Sequence, residues 1–150
     1  MKKVIIYTDG ACSGNPGDGG WAAILRHGDK IKEIFGFEKD TTNNKMELRA
    51  ALEALKCLKE SCEIDLYSDS AYLVNAFNEG WIETWQKNGW KNANKKKVKN
   101  IEFWQELIAL ANGNRITWNK VKGHSDNEFN NRCDELATGV IEEMRNREVD

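Results

Sequence analysis

The chain has 150 residues, 40% of them hydrophobic and 31% charged, with a formal net charge of −2. That mixture is globular rather than disordered, the length suits a single domain over residues 1–150, and no apolar run approaches the roughly 18 residues of a membrane helix. Cys12, Cys57, Cys62 and Cys133 lack CxxC spacing, which argues against a zinc site or disulfide framework; the N-terminal apolar run Val4–Tyr7 is too short for a signal peptide, so a reducing cytoplasm is the expected compartment.

Residues 3–12 read as a strand whose continuous apolar centre, Val4 to Tyr7, predicts cover on both faces. "SGNPGDGG" follows as a turn, and "WAAILRH" and "IKEIFGFE", joined by "GDK", extend the first strand into an antiparallel meander of three. "TTNNKMELRAALEALKCLKE" is the clearest helix, with a Thr or Asn cap and a stripe of Leu48, Ala51, Leu52, Leu55 and Leu58. "EIDLYSD" is a strand, and "SAYLVNAFNEGWIETWQKN" continues as helix. The segment "KNGWKNANKKKVK" is expected to be a loop or protrusion, "VKNIEFWQELIALAN" a helix, "RITWNKV" a strand, and "EFNNRCDELATGVIEEMRN" the final helix after a polar loop. The order βββαβααβα predicts an α/β fold, with a five-stranded mixed sheet of three antiparallel strands and two parallel additions flanked by four to five helices.

Two strand-like runs close alike, on Tyr7-Thr8-Asp9 and on Tyr67-Ser68-Asp69. In a meander–helix–strand layout the first and fourth strands are natural parallel neighbours, which sets both aspartates at similar heights on the ligand side of the sheet. Two carboxylates held together repel unless a cation lies between them, and a hard divalent ion such as Mg²⁺ suits oxygen donors. Glu47 falls angularly between Ala54 and Leu58, inside the apolar sector of its helix, although an acid in a first helical turn commonly serves the helix dipole. Asp134 borders the stripe Phe129, Cys133, Leu136, Ala137 and Val140, and Asp9 before Gly10 also has a plain reading as a turn residue.

His124 stands in a polar loop after the last strand, placed to carry protons if carboxylates lie close by. His27, at the end of the second strand, reads as a surface residue, and Ser125 with Glu128 as a capping box. "GACSGNPGDGG" lacks the Gly-Lys-Ser/Thr ending and following helix of a P-loop; Cys12 or Asn15 can still touch a ligand lying over Asp9. Trp81, Ile82 and Trp85 at helical spacing are expected to be partly core. Lys87, Lys91, Lys95, Lys96, Lys97 and Lys99 lie in a stretch without acids on a chain that is acidic on average, which predicts attraction for a polyanion, recognised by backbone shape rather than base edges.

"YTDGACSGNPG", "TTNNKMELRAA", "YSDSAY", "WQKNGWK", "VKGHS" and "NNRCDELA", in this order and over nearly the whole chain, resemble the bacterial type 1 ribonuclease H family. The resemblance implies a ribonuclease H-like fold and endonucleolytic cutting of the RNA strand of RNA–DNA hybrids, leaving 5′-phosphate and 3′-hydroxyl ends. It implies two Mg²⁺ ions, with Mn²⁺ as an alternative, on Asp9, Glu47, Asp69 and Asp134, and a catalytic role for His124. Cys12, Asn15, Asn43 and Asn44 fall where the family contacts the hybrid, Thr42 and Thr84 near its DNA-phosphate pocket, and the segment with Trp81, Trp85, Lys87, Trp90, Lys91, Lys95, Lys96 and Lys97 on its basic protrusion. Ala71 departs from a glutamine frequent in relatives, and Thr84 from an asparagine found in some. The expected partner is an RNA–DNA hybrid, with no membrane, and the expected state a monomer. Rival readings are another nuclease on the same fold and a non-catalytic hybrid-binding module; a small phosphatase has no nucleophile motif to support it.

Overall fold

Val4 and Ile6 face one apolar layer and Tyr7 another, so the first strand is covered on both sides as its unbroken apolar run requires. The computed structural model describes residues 1–122 and 127–149. Its elements are β1 (Lys2–Gly14), β2 (Gly17–His27), β3 (Lys30–Thr41), α1 (Asn43–Lys56), β4 (Cys62–Ser68), α2 (Ala71–Asn78), α3 (Trp81–Asn88), α4 (Ile101–Asn112), β5 (Arg115–Lys120) and α5 (Glu128–Val149). The strands form one sheet in the order β3-β2-β1-β4-β5. β1, β2 and β3 pair antiparallel, while β4 runs parallel to both β1 and β5. This is the mixed five-stranded sheet with five helices that the sequence predicts.

Helix α1 begins where expected. The Thr42 hydroxyl accepts from the Lys45 N–H at 3.2 Å, satisfying one of the donors that a helix start leaves open. Leu48, Ala51, Leu52 and Leu55 are buried in the larger core, and Leu58, beyond the helix end, packs half-buried on its margin. Trp104 of α4 is fully buried in the same layer. The other face of the sheet is covered by α5 through Cys133 and Ala137, which meet Tyr7, Ala22 and Ile24.

Three expectations need correction. The helix read through residues 70–88 is two helices, because Gly80 takes a left-handed backbone (φ 74°) that a continuing helix cannot hold and that costs glycine little. The first strand does not stop at residue 12 but runs to Gly14 and returns from Gly17, leaving Asn15 and Pro16 as the turn. Helix α4 starts at Ile101, not at Val98, because Asn100 caps it in a left-handed conformation (φ 61°). The lysine-rich segment is a loop pinned by a bridge between Lys91 and Lys97 and by the buried Val98.

Candidate active site

The β1–β4 ladder runs from Lys2 opposite Cys62 to Tyr7 opposite Tyr67, always in the same register. Carried two residues further, that register sets Asp9 beside Asp69, where β4 has ended at Ser68 and β1 continues alone against β2. The loss of a neighbouring strand opens a gap at the one place where both aspartates stand. Glu47, 3% exposed, enters this gap from α1. One carboxylate oxygen from each of Asp9, Glu47 and Asp69 lies within 4.8 Å of the others.

The residue that makes this convergence possible is Gly10. Its N–H donates to Glu47 Oε1 and, at 3.0 Å, to Asp9 Oδ1. A Cβ on Gly10 would overlap the backbone at Met46 and Glu47. The glycine therefore serves a close approach between helix and strand rather than the turn that its place after Asp9 suggests. Sequence reasoning missed this role because a glycine after an aspartate carries the signature of a turn.

Asp134 lines the same cavity, of about 300 Å³, together with Cys12, Asn43, Asn130 and Lys122. Its position follows from α5: the Cys133 thiol donates to the Tyr7 carbonyl at 3.4 Å, and Phe129 stacks on Tyr7 with ring centroids 5.0 Å apart. Burial first, then repulsion from Asp69 and Asp134, pushes the Asp9 carboxyl up to about 8. Burial, followed by repulsion from Asp9 and Asp69, likewise holds Glu47 well above the usual carboxylate range. Burial is also the main cause that raises the Cys133 thiol, with Asp9 adding to it. Among the described residues no lysine or arginine lies in an ion pair with any of the four acids.

An all-oxygen donor set, crowded, with Asp9 and Glu47 buried and among the described residues in no ion pair, fits a hard divalent ion. Lys122 is the one cation lining the cavity among the described residues, and it was not singled out from the sequence because it sits in an ordinary polar run. His124, and the Ser125 side of the capping box, lie outside the described residues.

A second recess, about 530 Å³, adjoins the first through Asn43. Asn15, Thr42, Asn44 and Trp85 line it, as do Tyr72 and Asn100, which sequence reasoning passed over. The Tyr72 hydroxyl accepts from Asn100 Nδ2 and from Trp104 Nε1, each at 3.2 Å, so the core tryptophan fixes the recess wall. Asn100 was hidden because it was read inside a helix that in fact it caps. Thr84 is not among the residues that line the recess; its hydroxyl donates to the Gly80 carbonyl at 3.2 Å.

On the protrusion, Trp90, Lys91, Lys95 and Lys97 line a further recess. Trp81, Lys87 and Lys96 are exposed, as is Ala71 at the start of α2. Ile82 is buried and Trp85 packs on Trp104 with centroids 5.4 Å apart, so the tryptophan run is partly core; Trp81 is 37% exposed.

Residues 1–142 match the sequence model of the RNase H family. The chain is 71% identical over 141 residues to a ribonuclease H of Acetivibrio thermocellus, covering 94% of this chain and 96% of that one. To a ribonuclease H of Chlorobaculum parvum it is 61% identical over 143 residues, covering 95% and 98%. Among solved structures it is similar to LC9-RNase H1, described as a type 1 RNase H with the type 2 active-site motif. That match has a TM-score of 0.84 and 26% identity, over 94% of this chain and 72% of that one.

Proposed function

Because this chain belongs to the ribonuclease H family, a family of hydrolytic endonucleases, we propose that it cuts the RNA strand of RNA–DNA hybrids with two divalent ions, leaving 5′-phosphate and 3′-hydroxyl ends. The observation that carries this reading is the meeting of Asp9, Glu47 and Asp69 within 4.8 Å, with Asp134 on the same cavity wall. These four carboxylates are the residues that would hold the ions. When bound, such ions activate a water for attack on the phosphate and stabilise the departing 3′-oxygen.

The chain's own residues supply position and selectivity. The Gly10 N–H fixes Glu47 and Asp9 toward the cavity, so little rearrangement is needed as charge develops. Cys12 and Asn43 line the cavity and Asn15 and Asn44 the recess beside it, within reach of a strand laid across both; this is where RNA 2′-hydroxyls would be read. Thr42 and Asn100 offer a hydroxyl and an amide to a phosphate of the DNA strand in the second recess. The protrusion's lysines would follow that strand further, and His124 would assist proton transfer or product departure.

Matched RNA–DNA, RNA–RNA and DNA–DNA duplexes, incubated with Mg²⁺, with Mn²⁺ and with EDTA, test the proposal. The expected result is metal-dependent loss of the RNA strand of the hybrid alone, with labelled fragments ending in 3′-hydroxyl. Cleavage of the DNA duplex would favour another nuclease on the same fold, and binding without cleavage would leave a hybrid-binding module.

A further inference from the structure

On the α5 face of the sheet three aromatic rings stand in a row. The Tyr7 ring stacks on Tyr67, with centroids 5.4 Å apart and an interplanar angle of 19°, and on Phe129, at 5.0 Å and 21°. The Arg26 guanidinium closes the row, 4.4 Å from the centre of the Phe129 ring. Its Nε is buried without a hydrogen-bond partner, and among the described residues Arg26 is in no ion pair. The face of the ring, rather than an acid, therefore holds this charge.

Each ring belongs to an element that carries, or leads into, one of the acids of the site. Tyr7 precedes Asp9 by two residues on β1, and Tyr67 precedes Asp69 by two at the end of β4. Phe129 lies one helical turn before Cys133, whose thiol donates to the Tyr7 carbonyl, and Asp134 comes next. Helix α5 is thus fixed to one residue of β1 at two points a turn apart, immediately before the acid it supplies. Glu47 stands outside this arrangement, since it comes from α1 and is held by the Gly10 N–H.

The other buried members of this layer are small or aliphatic: Ala22, Ile24, Cys133 and Ala137. Aliphatic side chains would cover the strand as well, but without the preferred offset and spacing of stacked rings. That difference matters where like charges push the elements apart, and Asp69 and Asp134 both repel Asp9. On the premise of the function proposed above, we infer that Tyr7, Tyr67 and Phe129, closed by Arg26, are positioning residues of the metal centre. They hold β1, β4 and α5 at the spacing at which Asp9, Asp69 and Asp134 share divalent ions. Gly10 sets Glu47 against Asp9, and the row of rings sets Asp69 and Asp134.

The test is a Mn²⁺ titration of the protein alone, read from the electron paramagnetic resonance of the free ion. Hybrid cleavage at varied Mn²⁺ and urea unfolding in EDTA run beside it. Phe129→Leu and Tyr67→Leu keep an apolar side chain and remove a ring. Both are expected to bind Mn²⁺ about tenfold more weakly and to need correspondingly more of it for half-maximal cleavage. KM for the hybrid at saturating ion should stay near the parent's. Phe129→Tyr and Tyr67→Phe keep the ring and should keep the parental Mn²⁺ affinity. Ile24→Val trims the same layer without removing a ring; it should lower the urea midpoint and leave Mn²⁺ affinity unchanged. Tyr67 is only half-buried, so Tyr67→Leu is the milder change and decides the matter if Phe129→Leu fails to fold.

Parental Mn²⁺ affinity in the leucine variants overturns the proposal. An equal loss in Ile24→Val, or in the two variants that keep the ring, overturns it as well, because the effect would then follow stability alone. A parent protein that takes up no Mn²⁺ and leaves the hybrid intact would instead remove the two-ion reading itself, and with it any positioning role for the rings.

Discussion

Asp9 carries the heaviest load in the molecule, because it faces Glu47, Asp69 and Asp134 from a strand that has just lost a neighbour. Replacing it by asparagine keeps the shape and removes one ligand charge. Asp9→Asn should lower hybrid cleavage at saturating Mg²⁺ by at least about a thousandfold, while gel-shift affinity for the hybrid stays near that of the parent; a variant that still cuts at the parental rate would remove Asp9 from the proposed site. Gly10 is the quieter counterpart. A methyl group there meets the α1 backbone, which cannot yield as a flexible side chain would. Gly10→Ala should therefore cost about 1–3 kcal/mol in urea unfolding and depress cleavage as well, since Glu47 shifts with its helix. If stability fell and cleavage did not, the glycine would matter for packing alone.

At the scale of elements, the protrusion between α3 and α4 differs in kind from the rest. Its lysines are exposed around a backbone pinned at Lys91–Lys97 and at Val98, so they present charge without contributing to the core. Changing Lys95, Lys96 and Lys97 together to alanine should leave the melting temperature close to the parent's. It should weaken hybrid binding and reduce the slope of log affinity against log salt by up to about three. An unchanged slope would mean that the polyanion passes elsewhere. The neighbouring split between α2 and α3 at Gly80 turns the tryptophan run so that Ile82 and Trp85 face the core while Trp81 stays partly in water.

The whole molecule pays for its site in pH dependence. Asp9 titrates near 3.8 in an unfolded chain and at about 8 in the metal-free fold, and Glu47 is raised in the same direction. Between those values the folded protein binds the proton that the unfolded chain has released, so stability falls as pH rises. In EDTA, urea midpoints should decline from about pH 4 to about pH 8 and level off beyond. Asp9→Asn should flatten much of that decline. Because divalent ions bind the ionised carboxylates, Mg²⁺ should raise the parent's midpoint most at the alkaline end and do little for the variant. A parent protein whose metal-free stability rises across this range would contradict the buried-carboxylate account.

Much of this protein was legible before any coordinates. The paired Tyr–hydroxyl–Asp endings, the leucine stripe of α1 and the order of elements are short-range signals, and they led to the observed sheet order and to Asp9, Asp69, Glu47 and Asp134 as a group. Periodicity reports which face of a helix or strand is buried, and that suffices to point Glu47 inward. What the sequence left open depended on residues distant along the chain. The role of Gly10 exists only because α1 crosses β1 there, and the cap at Asn100 is set by Tyr72 and Trp104. The lysines around Leu58 come together from a hairpin and a helix end that share no sequence neighbourhood. Burial and charge pairing are properties of the packed whole, so these features were decided only when the chain closed on itself.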